Sequence, residues 1–211
     1  MDFFKLASER YSVRNFQNKH LEKEVIDKII ACGHVAPTGC NYQPQRILVL
    51  NSDESINKLK NCTKCHFDAP TAMLICYNKD ESWVRKYDNA LSAPVDAGIV
   101  TTHMMLMAHS LGVGSCWVMH FDPFKMREEF NIPKNYEPYA LLVMGYPHPD
   151  SKPIEMHSKS DRLTRLYITI NSKKRSKVYF YLTPFKIYML FSSTNWNWSI
   201  VPIILFAYYN D

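Results

Sequence analysis

Two arginines and a serine alternate in Arg10-Tyr11-Ser12-Val13-Arg14. In an extended stretch, alternate residues share a side, so side chains 10, 12 and 14 can converge on one point. Guanidinium groups form directional, charge-assisted bonds to phosphate oxygens, and a serine hydroxyl adds another donor. The segment suits a phosphate; read alone, it also describes a solvated basic turn. A second cluster is Ala36-Pro37-Thr38-Gly39-Cys40-Asn41-Tyr42-Gln43-Pro44-Gln45. Asn41 and Gln43 carry amide donors and acceptors, and Gly39 admits close approach to the backbone. Read alone, this is either a ligand-facing loop or a polar connection.

Other spacings lead elsewhere. Cys62-Thr63-Lys64-Cys65-His66 spells the attachment motif of c-type haem, and two cysteines one turn apart also suit a dithiol or a zinc site. Haem is attached outside the cytosol, and Met1-Asp2-Phe3-Phe4-Lys5 is not an export signal. The motif therefore reads first as an inert helix end. His103 and His109 are not at same-face spacing, and His103 reads as a satisfied core histidine. Gly112-Val113-Gly114 follows a helix and lacks the third glycine of a dinucleotide fingerprint. Arg85 and Lys86 are either a contact for a 2′-phosphate or solvated loop charge.

The elements that must position these residues follow from periodicity. If the short segment 2–9 is a helix, the chain turns as it leaves it; Val25, Ile26, Ile29 and Ile30 give a helix over 21–33. Arg46–Leu50 is a short apolar strand, and Ser52 opens a helix with acids in its first turn. Ala72–Tyr77 is a buried strand. Residues 78–94 form a long polar connection. The spacing predicts the strongest helix over 96–111, a strand over 114–118, a helix over 122–130 and a strand over 140–145. Helices and strands alternate without a strict βαβ period, so the fold class is α+β around about four strands.

Taken in order, these segments resemble the nitroreductase family of FMN-dependent oxidoreductases. The clusters at 10–14 and 36–45 are followed by Ala69–Tyr77 as central strand and Val95–Leu106 as long core helix. Leu111–Val118 with Phe121-Asp122 resembles the flavin-side strand and turn, and Leu141–Pro147 the last core strand. The likeness extends over residues 1–165.

The resemblance implies a nitroreductase-like fold, with a central, mainly antiparallel sheet flanked by helices. It implies a homodimer with FMN at the subunit interface. NADH or NADPH would deliver a hydride through the flavin to a nitro, quinone or similar small acceptor, in ping-pong order. Arg10, Tyr11, Ser12, Val13 and Arg14 would hold the phosphate and ribityl end. Pro37, Thr38, Gly39, Asn41 and Gln43 would approach the flavin, Thr38 and Gly39 from the partner chain. Trp117, Val118, Met119 and His120 would line the isoalloxazine, largely through backbone groups. The C-terminal phosphate contact falls on Lys159 or Arg162. Because the flavin carries the redox chemistry, no catalytic acid or base and no metal is nominated. Met119-His120 stands where the family often has a small residue, which narrows the acceptor pocket. A flavin-binding or flavin-remodelling protein without nitroreductase turnover is the alternative.

The chain has 211 residues and a formal net charge of +5. Lys173, Lys174, Arg175, Lys177 and Lys186 stand against Asp211 alone in 171–211, so residues 1–170 are nearly neutral. A near-neutral body is a poor partner for nucleic acid. The expected division is a flavin-binding domain over 1–170 and a basic, aromatic tail over 171–211. An uncharged run spans 187–209, long enough to cross a bilayer but broken by Ser192–Ser199 and Pro202. A tail-anchored scaffold is one reading of that run; a loosely packed extension is favoured. With no export signal, the cytoplasm is the expected compartment and the six cysteines are expected mostly reduced.

Overall fold

The computed structural model describes residues 2–157, 159, 178–182 and 185–189. The chain divides into two compact units, Met1–His157 and Ser158–Asp211.

In the first unit, strands β1 (Gln45–Leu50), β2 (Thr71–Asn78), β3 (Gly114–Val118) and β4 (Tyr136–Gly145) form one sheet in the order β1-β2-β4-β3. Every pairing is antiparallel. Helices α1 (Phe3–Glu9), α2 (Lys23–His34), α3 (Asp53–Cys62), α4 (Ala93–Ser110) and α5 (Pro123–Phe130) complete it. This is the α+β architecture expected.

The alternation of strand side chains splits the interior into two cores. Met73, Ile75, Leu142 and Met144 pack with Ile26 and Ile29 of α2 and Val100 and Met104 of α4. Ala72, Leu74, Leu141 and Val143 face the other way, against Ile56 and Leu59 of α3 and Met126 of α5. The sheet is thus covered on both faces, which is why β2 and β4 are apolar without alternation.

Most boundaries shift by one or two residues, and two shift further. Helix α4 starts at Ala93 rather than 96, because Pro94 sits in the first turn, where no N–H is needed. Strand β4 starts at Tyr136 rather than 140. Pro138 lies where β3 does not reach, since β3 pairs only with Leu141–Gly145, and the register shifts at Ile75/Cys76 opposite it. The connection over 78–94 is also more structured than its composition indicates. It holds a 3-10 turn over Lys79–Glu81, a bridge between Val84 and Leu91, and an Arg85–Asp88 ion pair.

The outer edge of β3 is covered by the chain leaving α1. Ser12 forms a parallel bridge with Ser115, and the Val13 N–H donates to the Ser115 carbonyl at 3.0 Å. In the second unit, β5 (Val178–Leu182) and β6 (Phe185–Met189) pair antiparallel. The rest of 187–209 lies outside the described residues. Among the described residues, no helix is long and apolar enough to cross a membrane.

Candidate functional site

Arg10 ends α1 with an extended backbone, its N–H donating to the Leu6 carbonyl. From there the chain runs along β3, with Val13 turned into the core. Gly114 permits this: a Cβ there would lie 2.7 Å from Val13 Cγ2. Tyr11 bonds to Ser151 at 3.3 Å and sets its ring against His157. The even-numbered side chains act electrostatically on Cys116, the residue after Ser115. Burial pushes that thiol up, while Arg14, a hydrogen bond from Ser12 and Arg10 pull it down. Arg14 also donates to the Ser12 carbonyl at 3.1 Å and stands 5.8 Å from the centre of the Phe67 ring. Neither Arg10 nor Arg14 is paired with a carboxylate among the described residues. Two unneutralised guanidiniums beside a hydroxyl fit a phosphate dianion.

The second cluster is a strained loop. Cys40, Asn41 and Gln43 all have positive φ, 48°, 59° and 49°. Left-handed backbone costs a non-glycine residue about 1–2 kcal/mol, so other bonds must hold it. Thr38 Oγ1 accepts from the Gln43 N–H at 3.2 Å, and Asn41 Oδ1 from Gln43 Nε2 at 2.9 Å. The anchor is Asp96, only 3% exposed. Its Oδ1 accepts from the Gly39 N–H at 2.9 Å and its Oδ2 from the Ser92 hydroxyl at 2.8 Å. Gly39 is pressed so closely that a Cβ would lie 2.8 Å from Ser92 Oγ. Pro37 is exposed at the loop's start. Sequence reasoning passed over Asp96, because an acid in a helix's first turn already has a local reason to be there.

These two clusters lie at opposite ends of α4. Asp96 holds the 38–43 loop at its start. Near its end, burial and then Arg10 lower the pKa of His109. At 1.5 Å per residue the two positions are about 20 Å apart along the axis.

Trp117 to His120 close β3. The Trp117 ring is half-buried, edge-on to Tyr139 at 6.4 Å, and Val118 is buried. Met119 is 58% exposed and His120 is also exposed. Both border a cleft of about 840 Å³ that Lys64 and Lys125 also line. Neither this cleft nor a smaller one of about 480 Å³ beside His20, Asp53 and Lys60 is lined by the arginines or the 38–43 loop. Lys159 is exposed and Arg162 lies outside the described residues. Arg85, weighed as a 2′-phosphate contact, is bound to Asp88 through Nε at 2.7 Å.

All six cysteines are free thiols. Burial pushes Cys62, and likewise Cys76, up to about 11. The thiolate is the reactive form, so at pH 8 about one in a thousand of these groups is reactive. Iodoacetamide is expected to modify Cys62 and Cys76 slowly in the native protein and rapidly after denaturation. Fast native labelling of Cys62, followed by peptide mass spectrometry, would overturn the inert reading of the cysteine motif. Among the described residues, no group of three or more His, Cys, Asp or Glu is placed to hold a metal ion.

The model of the nitroreductase family matches residues 7–74 and 60–146. A crystal structure of a nitroreductase family protein from Clostridium difficile 630 is 41% identical, with a TM-score of 0.75, over 82% of this chain and 99% of that one. A protein of Methanothermobacter thermautotrophicus, provisionally named NADH dehydrogenase/NAD(P)H nitroreductase, is 27% identical over 70% of this chain and 78% of its own. An FMN reductase [NAD(P)H] of Bacillus subtilis is 24% identical over 69% of this chain and 66% of its own. With its matched segments spanning the two clusters, the four-stranded sheet and α4, the chain belongs to the nitroreductase family.

Proposed function

We propose that this protein is an FMN-dependent oxidoreductase that draws on NADH or NADPH and reduces a small acceptor such as a nitro compound or quinone. The observation that carries the reading is the Arg10-Ser12-Arg14 run laid along the edge of β3, with neither guanidinium paired to a carboxylate among the described residues. The names of the relatives, an FMN reductase and an NAD(P)H nitroreductase, point the same way.

The working unit is a homodimer with two flavin sites between subunits. The clusters lie about 20 Å apart along α4, too far for one chain to build a compact site from both. Helix α4 is apolar on most sides, and a helix of that kind is normally covered. Yet Val95 is 63% exposed, and Phe3 and Phe4 on α1 are exposed too. A two-fold axis beside α4 covers this face and brings the Asp96 end of one helix towards the Arg10 end of the other.

When bound, FMN supplies the hydride-accepting and electron-donating chemistry. The chain's residues bind and orient. Arg10, Ser12 and Arg14 fix the phosphate. The 38–43 loop of the second subunit presents backbone and amide groups to the ring system. The 117–120 backbone sets the ring's position, and Met119 and His120 shape the space left for the acceptor. The catalytic body occupies 1–170, with no step assigned to 171–211.

Purified protein is expected to be yellow, to carry two FMN per dimer, and to oxidise NADH or NADPH when a quinone or nitroaromatic is added. A colourless protein that takes up no added FMN would refute the proposal. The bulk of Met119 and His120 at the cleft motivates a second reading, a flavin-binding or flavin-remodelling protein without that turnover. It predicts bound FMN with negligible NAD(P)H oxidation in the same assay.

A further inference from the structure

The segment 62–67, which begins with the Cys-Thr-Lys-Cys-His sequence, has a structural job. Thr63 follows the last residue of α3 and is 6% exposed. Its hydroxyl both donates and accepts. It donates to the His120 carbonyl at 2.5 Å and accepts from the Cys65 N–H at 2.9 Å. One residue earlier, the Cys62 carbonyl accepts from the Asp122 N–H at 2.8 Å. The turn after β3 is thus tied at two points to the end of α3. Its own internal bond is Phe121 N–H to the Met119 carbonyl at 3.1 Å.

A peptide unit is planar, with its C=O and N–H on opposite sides. Holding the His120 carbonyl therefore fixes the plane of the next peptide and aims the Phe121 N–H at Met119. With the Met119 carbonyl engaged there, the His120 N–H points the opposite way. Phe121 packs against the core and anchors the turn, while the side chains of Met119 and His120 are exposed, so hydrogen bonds are what set the backbone of those two residues.

We propose that Thr63 is a positioning residue of the flavin site, its hydroxyl setting the orientation of the Met119-His120 backbone against the ring system. The inference rests on the proposed flavin site and goes beyond it. The same segment also reaches the phosphate end: Phe67 lies under Arg14, and Cys65 raises the pKa of the Cys116 thiol. The functional residue of the Cys-Thr-Lys-Cys-His sequence is then the threonine, and the cysteines are packing.

Thr63→Val keeps the volume and removes the hydroxyl. It leaves the His120 carbonyl without its donor and the Cys65 N–H without its acceptor. The expected result, in full-length protein, is an FMN Kd raised about ten-fold, equivalent to about 1.4 kcal/mol. The visible absorption envelope and midpoint potential of any flavin still bound should shift as well. Thr63→Ser restores the hydroxyl and is expected to return affinity, spectrum and potential to those of the unmodified protein. A purely structural threonine would lower the melting temperature of the apoprotein and leave all three flavin readouts unchanged, and that result overturns the inference. If Thr63→Val fails to fold, Thr63→Ala makes the same comparison without overpacking the site. Failure of the unmodified protein to bind FMN sinks the flavin site and this inference together. Normal binding with an unaffected Thr63→Val variant sinks this inference alone.

Discussion

Removing both guanidiniums, Arg10→Ala with Arg14→Ala, is expected to strip the protein of flavin. A hydrogen bond to a charged group contributes about 1.5–3 kcal/mol. Two guanidiniums on one phosphate therefore account for about 3–6 kcal/mol, or roughly two to four powers of ten in Kd. The pair acts on one ligand group, so the double change is expected to differ from the sum of the single ones. The fold should tolerate the loss. The strand-like run of 12–13 is held by backbone bonds to Ser115 and by buried Val13, and neither involves an arginine side chain. Arg14→Lys keeps the charge and loses the planar fork, so its deficit should be intermediate. Titration of apoprotein with FMN and with riboflavin separates phosphate recognition from everything else. The unmodified protein should prefer FMN strongly, and the double variant should bind the two almost equally weakly. An unchanged FMN Kd in the double variant would remove the phosphate assignment.

What could be read in the sequence was what local pattern encodes. β2 and β4 are apolar runs because the sheet is buried on both faces, α2 carries its stripe at helical spacing, and α4 is long and apolar on most sides. The arginine cluster was legible because alternation over five residues is itself the geometry. The errors fell where tertiary context overrode composition. Pro138 conceals the first half of β4, and it is tolerated because β3 does not extend that far. Pro94 conceals the first turn of α4. The residues that hold the site in place left no local mark. Asp96 reaches Gly39, and Thr63 reaches His120, each across 57 positions of sequence. Neither pairing follows from spacing, since both depend on which ends of the helices the sheet brings together. The resemblance already implies that Thr38 and Gly39 come from the partner chain; what the sequence does not show is that α4 stands between the two clusters.

That division makes a sharper prediction than either cluster alone. Asp96→Ala leaves the Gly39 N–H and the Ser92 hydroxyl without the buried carboxylate that accepts from both. With two charged bonds lost at about 1.5–3 kcal/mol each, and part of that offset as the left-handed backbone relaxes, a net loss of about 2–3 kcal/mol is expected. At about 2–4 °C per kcal/mol for a chain of this size, the melting temperature should fall by roughly 4–12 °C. The freed loop should no longer present Thr38 to Gln43 to the flavin, so this homodimer too should purify without FMN. Asp96→Asn keeps an acceptor for Gly39 and is expected to be mild. Now let one subunit carry Arg10→Ala and Arg14→Ala and the other Asp96→Ala, with the mixed dimer isolated through two different affinity tags. If each flavin site takes its arginines from one subunit and its loop from the other, both defects fall in the same site and the second site is intact. The mixed dimer should hold one FMN, although neither parent homodimer holds any. If each chain built its own site, both sites of the mixed dimer would be damaged and it would be colourless. A flavin stoichiometry of one therefore establishes the shared site, and zero rejects it, with both variant chains present in either case.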